Sequence, residues 1–514
     1  MAFTRRQFIK RTGLATAGAF LGPSLFRNPL FRRVLADQLD TLDRYLVIIF
    51  LDGGNDGLNT VVPLADSGAS QLRYWYEQAR SLPTAQNAGG LQLTPADLAN
   101  THIGTDQNTG TPLALHPGLI GLKHLWDASA LAVVQGCGDP NTLNFLSHEF
   151  SRTVWQNGNP FSVTPGYPGG WLGRYLGASY GPTDIPGVCI RDSIAGELAT
   201  TATSVLAMTS VGDFGFPYDD WDLFDTFGPN DITEMQFKHD AFSGLYTNAK
   251  GYAQPAFQYI GASGGATLDA SDSYPTLDDL YTNDPSTLDS AYQALIDNGN
   301  GFAFDMREVA KIIHGVVHNA DGPPYPANVK ARAFELSNGG YDTHSNQGTT
   351  GANDQQNQLH QMVGDALEVF YNDCQAMGVA NKVCVMVWSE FSRRIQQNSS
   401  GTDHGSQGPV FIIGGAVNSG VYGNHPNINS DPNIDNAYDG NGALNGDGNT
   451  VYSQAATGPN PDPTMPYRAT DIRDVYGTIL KHWLNIDPTP LLPLDSGDPT
   501  QYWTATNFDL GFLP

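Results

Sequence analysis

The chain has 514 residues, a formal charge of −26 at pH 7, and only 15% charged residues. Its first 36 residues hold seven Arg or Lys and no acid, so removing those seven charges leaves the remainder near −33. That surplus excludes a binder of nucleic acid or anionic lipid, whose phosphates are held by Lys and Arg. With 57 glycines and 33 prolines, the loops must be long.

Residues 1–36 read as a targeting segment that takes no part in the fold. TRRQFIK, from Thr4, matches the twin-arginine export signal at nearly every position. Residues 13–26 are weakly apolar, carry glycines and Pro23, and fall short of the ~20 apolar residues of a membrane span. Val34-Leu35-Ala36 offers a cleavage site. The expectation is a mature chain beginning near Asp37, periplasmic or secreted, with the twin-arginine translocation machinery as an early partner and no stable membrane span. Residues 37–514 exceed a typical single core, which points to one α/β domain with an insertion around 200–300 and an Asn/Asp/Gly-rich loop at 422–466. Cys137, Cys189, Cys374 and Cys384 show no CxxC spacing, which argues against a thiolate zinc site. Free thiols and disulfides both stay open.

Apolar, β-branched runs mark strands buried on both faces. The first, residues 44–50 (RYLVIIF), runs into LDGGNDG with Asp52 and Asp56. Residues 61–113 read as loop and short helices. Residues 130–134 form a second strand, followed by NTLNFLSHEF. There Ser147 and His148 stand at the start of a helix, where a hydroxyl can meet an anion or simply cap the helix. Residues 213–300 read as a helical or irregular insertion rich in aromatics. Residues 302–317 form an amphipathic helix, and His314 and His318 lie one turn apart on it with no third ligand nearby in sequence. Residues 331–336 form a further strand, ending in SNGGYDTHSN with Asp342 and His344. A helix over 355–377 returns the chain to the strand at 383–388, which closes a βαβ unit. Ser389 and Glu390 end that strand, Asp403 and His404 occupy a Gly/Ser-rich loop, and residues 410–413 open another buried strand. An amphipathic helix over 468–484 closes the domain.

Ligands collect at the carboxyl ends of strands in open α/β sheets. Asp52, Asp56, Asp342, His344, Glu390, Asp403 and His404 all follow presumed parallel strands, and mixed Asp/Glu/His ligation suits Zn, Mn, Mg or Ca. One or two such ions polarise an ester and stabilise its leaving oxygen.

LDGGNDGLNTVVP, ALHPGL, NFLSHEF, GGYDTHSNQ, WSEFSRR, GTDHGSQGPVFIIGGAV and TDIRDVYGTIL together resemble the exported domain-of-unknown-function 1501 family. Members of that family look like the alkaline phosphatase and sulfatase superfamily. The resemblance implies an alkaline-phosphatase-like α/β fold with a mixed, mostly parallel sheet and helices on both faces. It also implies an acid after the first strand (Asp52 or Asp56), a nucleophile at a helix start (Ser147), and an Asp/His pair (Asp342 with His344). A carboxylate at a strand end (Glu390) and a late His (His404, with Asp403) complete the set. Two departures stand out: Phe391 follows Glu390 where a His is usual, and no sulfatase signature surrounds a nucleophile. The expected function is metal-dependent hydrolysis of phosphate or sulfate esters, on small molecules or glycans, with Ser147 or water attacking and His148 or His404 as acid/base. The alternative is a non-catalytic exported protein that holds metal and binds polysaccharide or an envelope partner.

Overall fold

The computed structural model describes residues 43–67, 71–83, 88–138, 147–159, 169–215, 230–326, 329–405, 407–423, 425–426, 428, 470–493 and 508–514, with backbone alone for 230–236. The export segment and most of the 422–466 loop lie outside these residues. β1 (Tyr45–Asp52) is the spine. Its alternate side chains Tyr45, Val47, Ile49 and Leu51 enter one core, while Leu46, Ile48 and Phe50 enter another on the opposite face. A strand buried on both sides needs an unbroken apolar run, and YLVIIFL supplies it.

The remaining strands, in chain order, are β2 (Val61–Pro63), β3 (His102–Thr105), β4 (Pro112–Leu115), β5 (Leu131–Gly138), β6 (Gly187–Ile190), β7 (Val205–Met208) and β8 (Ala333–Gly339). β9 (Val383–Trp388), β10 (Ser392–Gln397), β11 (Thr402–Gly405), β12 (Gly408–Ile413), β13 (Gly420–Gly423) and β14 (Thr470–Asp471) complete them. The main sheet has the order β13-β5-β12-β9-β1-β8-β6-β7, with β14 also pairing β5. β8 and β9 flank β1 in parallel, β6 and β7 extend that run, and β12 alone opposes both of its neighbours.

The principal helices are α1 (Leu72–Arg80), α2 (Ile120–Asp127), α3 (His148–Asn157), α4 (Trp171–Ser179), α5 (Asn230–Lys250), α6 (Pro255–Ser273), α7 (Pro275–Thr282), α8 (Asp289–Asp297), α9 (Gly301–His318), α10 (Gln355–Ala376) and α11 (Ile472–Thr478). Residues of α2, α9 and α10 fill the Tyr45 face, and those of α3, α4 and α11 fill the other. The architecture is therefore α/β with a mostly parallel sheet between helical layers. The insertion is helical, and α5 and α6 leave Phe237, Leu245, Phe257 and Ile260 exposed. All four cysteines are buried and free. No helix among the described residues is long and apolar enough to cross a membrane.

Three expectations change. Residues 61–115 contain a three-stranded sheet, β2-β4-β3, besides helix α1. Asp403 and His404 lie on strand β11 of a polar hairpin with β10, not on a loop, and the loop itself spans 398–401. They therefore follow no parallel strand. They precede β12, whose opposed direction starts it at the same edge where β1, β8 and β9 end.

His116 and His360 pack ring edge to face at 4.9 Å inside the protein. His116 Nδ1 accepts from the Gly118 amide and its Nε2 meets Thr349 O at 2.9 Å, while Thr60 Oγ1 approaches His360 Nε2 at 3.2 Å. Burial pushes His116 down to about 4, and burial beside His116 pushes His360 well below 6.5. The unfolded chain takes up protons that the folded one refuses, so this contribution is present above about 6.5 and is lost as pH falls toward 4. Buried Glu335, pushed up to about 8, contributes with the opposite slope from about 4.5 to about 8 and so overlaps the His window, which makes the difference from wild type the way to isolate the His term. Between pH 6.5 and 4, His360→Gln should lose stability less steeply than wild type in urea denaturation. Parallel curves would mean that His360 is not held neutral.

Candidate metal centre

β1 ends in Gly53 and Gly54, with φ of +124° and +76°. A Cβ on Gly53 would stand 2.3 Å from the Asp342 amide, so glycine lets the loop after β1 lie directly against the loop after β8. Into this junction reaches Arg393, from the start of β10, with its side chain fully buried. Its guanidinium donates to the carbonyls of Gly53, of Gly54 at 2.6 Å, of Tyr341 at 2.9 Å and of Thr402 at 2.9 Å. It also donates to Asp342 Oδ1 at 2.7 Å. Burial alone would raise the Asp342 pKa, but the hydrogen bond and charge of Arg393 outweigh it and hold the carboxyl below its usual range.

Helix α3 delivers Ser147 and His148 to the same edge. Its Trp155 stacks on Trp388 at 5.1 Å, and Trp388 in turn stacks on Phe50 at 4.5 Å, which fixes the helix over the ends of β9 and β1. Gly158, in the left-handed conformation, ends the helix. Ser147 is the N-cap, exposed, and its hydroxyl makes no capping bond.

His148, Asp342 and His404 each present a ligand atom, and these atoms lie within 4.8 Å of one another. His148 Nε2 lies 3.5 Å from Asp342 Oδ2, and His404 Nε2 lies 3.4 Å from Asp342 Oδ1. His344 Nε2 adds to them, 3.2 Å from Asp342 Oδ1 and 2.9 Å from His404 Nε2. Donors around a zinc-sized ion stand about 3.4 Å apart, given bonds of about 2.1 Å, so the spacing suits one ion.

Two carboxylates aim the rings. Glu390 Oε1 takes His148 Nδ1 at 2.7 Å, and Asp403 Oδ1 takes His344 Nδ1 at 3.1 Å. A neutral ring that donates from Nδ1 presents a bare Nε2, the tautomer being inferred here from its partner. Carboxylate-held imidazoles of this kind commonly stand behind metal ligands. The hydrogen bond to Glu390 raises the His148 pKa despite partial burial.

Of the acids named from the sequence, Asp342 faces the cluster. Glu390 is buried, and its oxygens are taken by His148, by the Gly53 amide at 3.0 Å and by the Ser389 hydroxyl at 3.0 Å, so it acts on the cluster through His148. Asp52 stands at the rim, 3.7 Å from Arg152, with its pKa raised by burial and then by the charge of Glu390. Asp56 stands apart. Its carboxylate is fully buried against Arg80 and also accepts from Gln347 Nε2 at 2.6 Å, so its charge is already spent holding α1 and the 347 loop. On sequence Arg393 stands as a partner for Glu390 or Asp403, and the structure gives it Asp342. WSEFSRR carries it, but nothing in that string says which acid it meets.

The residues fit a divalent cation by the chemistry of their donors: two or three imidazole nitrogens and one ionised carboxylate, backed by carboxylates. Two small recesses lie behind the cluster residues, one lined by Leu58, Gln135, Arg393, Pro409 and His425 among others, the other by Asn55, Trp155, Ser389 and Phe391 among others, and neither is lined by His148, Asp342, His344 or His404.

Residues 327–437 match a family described as "Protein of unknown function (DUF1501)". The match spans β8 to β13 and thus Asp342, His344, Glu390, Arg393, Asp403 and His404, while Asp52, Ser147 and His148 lie outside it. The chain matches no curated protein.

Replacing Arg393 by Lys leaves one ammonium where five acceptors were served, and the stranded carbonyls and carboxylate are costly to bury. Arg393→Lys should lower unfolding free energy by about 3 kcal/mol. Urea denaturation reads this, and a loss under about 1 kcal/mol would show that the junction holds without the guanidinium fork.

Proposed function

We propose that the protein is an exported metal-dependent hydrolase of phosphate or sulfate esters, working at the carboxyl edge of the main sheet. The observation that carries this reading is the convergence of His148, Asp342 and His404, from three separate segments, on one point, with Ser147 preceding His148 at the helix start and its hydroxyl making no capping bond. His148, Asp342 and His404 would hold the ion. When bound, it would supply the positive charge that polarises the ester and stabilises the departing oxygen. Glu390 keeps the His148 ring turned inward, and Arg393 keeps Asp342 ionised beside it.

Both His148 nitrogens are committed, Nδ1 to Glu390 and Nε2 toward Asp342, so it suits holding better than moving a proton. His344 is the better proton carrier, because its side chain is 45% exposed and Asp403 steadies its Nδ1. Ser147, at the positive N-terminus of α3, is the residue placed to attack phosphorus or sulfur. Attack forms the bond from Ser147 Oγ to phosphorus or sulfur and breaks the bond to the ester oxygen, which leaves as the alcohol with the serine proton carried across by His344, and water then hydrolyses the serine ester to phosphate or sulfate and restores the hydroxyl. Export by the twin-arginine route accords with TRRQFIK and with the acidic remainder of the chain.

The test uses protein purified without chelator, with metal content and turnover of p-nitrophenyl phosphate and sulfate read on the same samples. Asp342→Ala and His404→Ala should each lose one equivalent of metal together with turnover. Ser147→Ala should keep the metal and lose turnover by ~10²-fold or more. Metal without turnover on a broad ester panel would favour the non-catalytic polysaccharide or envelope binder. Wild type that neither carries nor takes up metal would overturn the reading.

A further inference from the structure

We propose that Asp284, His314 and His318 form a second binding site, for one divalent transition-metal ion such as zinc, at the base of the helical insertion. His314 and His318 lie one turn apart near the end of α9, so their rings share a face, with centroids 4.6 Å apart. Sequence alone offers no third ligand. The fold brings it from the turn between α7 and α8, thirty residues earlier: Asp284 Oδ2 stands 3.0 Å from His314 Nε2. One ligand atom from each of the three residues falls within a common 4.8 Å. Bonds of about 2.1 Å require donors about 3.4 Å apart, a closure that a turn of the half-exposed His318 ring provides.

Each ligand is prepared for the role. Asp284 Oδ1 is pinned by the Ser286 amide and hydroxyl, both at 2.8 Å, which leaves Oδ2 directed at His314. These bonds, first the Ser286 amide and then His314, bring the Asp284 pKa down to about 2, so it is a carboxylate at any ordinary pH. His318 Nδ1 meets Asp321 Oδ2 at 2.8 Å, the carboxylate-backed arrangement that leaves Nε2 bare. Tyr325 stacks on the His318 ring at 5.1 Å, and Tyr281 meets the His314 ring edge-on at 5.6 Å, so apolar faces enclose the group.

The His314 ring is almost sealed from solvent. The His314 side chain is 1% exposed, and its Nδ1 is buried with no hydrogen-bond partner. Burial also keeps that ring neutral, the form that binds metal. Two imidazoles and one carboxylate select zinc, cobalt or nickel over magnesium or calcium, which prefer oxygen shells. The ion would fasten the α7–α8 turn to the end of α9.

The experiment is a cobalt(II) titration of the full chain carrying His344→Ala and His404→Ala, which silences the carboxyl-edge cluster so that the two sites fail separately. One equivalent should bind with a visible d–d band and be displaced by zinc(II). Adding Asp284→Asn or His318→Gln, at side chains 22% and 31% exposed that tolerate change, should weaken binding by about a hundredfold. Asp321→Asn should weaken it by ~10-fold, through the orientation of His318. Asp284→Asn and His318→Gln in the wild-type background should remove one bound equivalent and leave ester turnover unchanged. No cobalt band in either background, or a band that Asp284→Asn and His318→Gln leave unaltered, overturns the proposal.

Discussion

The guanidinium of Arg393 is where three segments of the chain meet. It ties the glycine turn after β1 to the loop after β8 and to strand β11 through backbone carbonyls, and reaches Asp342 with what remains of its fork. A buried arginine is costly unless its donors are nearly all served. Serving them from backbone oxygens makes the position of Arg393 depend on the local chain path rather than on side-chain rotamers. The acid of the cluster is thereby placed relative to the sheet itself. Gly53 is the necessary complement, because a side chain there would collide with the very loop that Arg393 draws in.

Electrostatics around the cluster follow a two-layer pattern. Inward stand imidazoles and one acid, and behind them stand Glu390 and Asp403, each spent on a ring nitrogen. The buried carboxylate of Glu390 is supported by the Gly53 amide, so the turn after β1 serves the outer layer as well as the junction. In a chain this acidic, few of the acids at this edge are left uncommitted. Asp56 shows the other fate: paired with Arg80 in the interior, it is a clamp between segments.

The sheet was legible where burial on both faces demands apolar runs. YLVIIFLD, LAVVQGCG and VCVMVW announce β1, β5 and β9 within a few residues of their bounds. The hairpin β10–β11 was not legible, because SRRIQQ and TDHG carry no apolar alternation and owe their strand form to Arg393, Gln397 and their partners. The direction of β12 was hidden too: GPVFII reads alike in a parallel or an antiparallel slot. Among site residues, Asp342 and His344 lie where strand-end placement puts them, whereas His404, expected after a parallel strand, comes from hairpin strand β11. The division of labour between Asp56 and Asp342 did not, because it depends on where Arg80 and Arg393 fall in space. Asp284 joins His314 and His318 only through helix packing, which no local spacing reveals.

The single opposed strand also dictates an order of assembly. β12 lies between β5 and β9, so the two halves of the sheet are joined by a segment made late in synthesis. Until residues 408–413 emerge, β5 and β9 each present an apolar edge with unpaired amides and carbonyls, which is the kind of edge that recruits other chains. Because β12 follows directly on the hairpin that carries His404, the strand that seals this slot also brings the last histidine to the cluster.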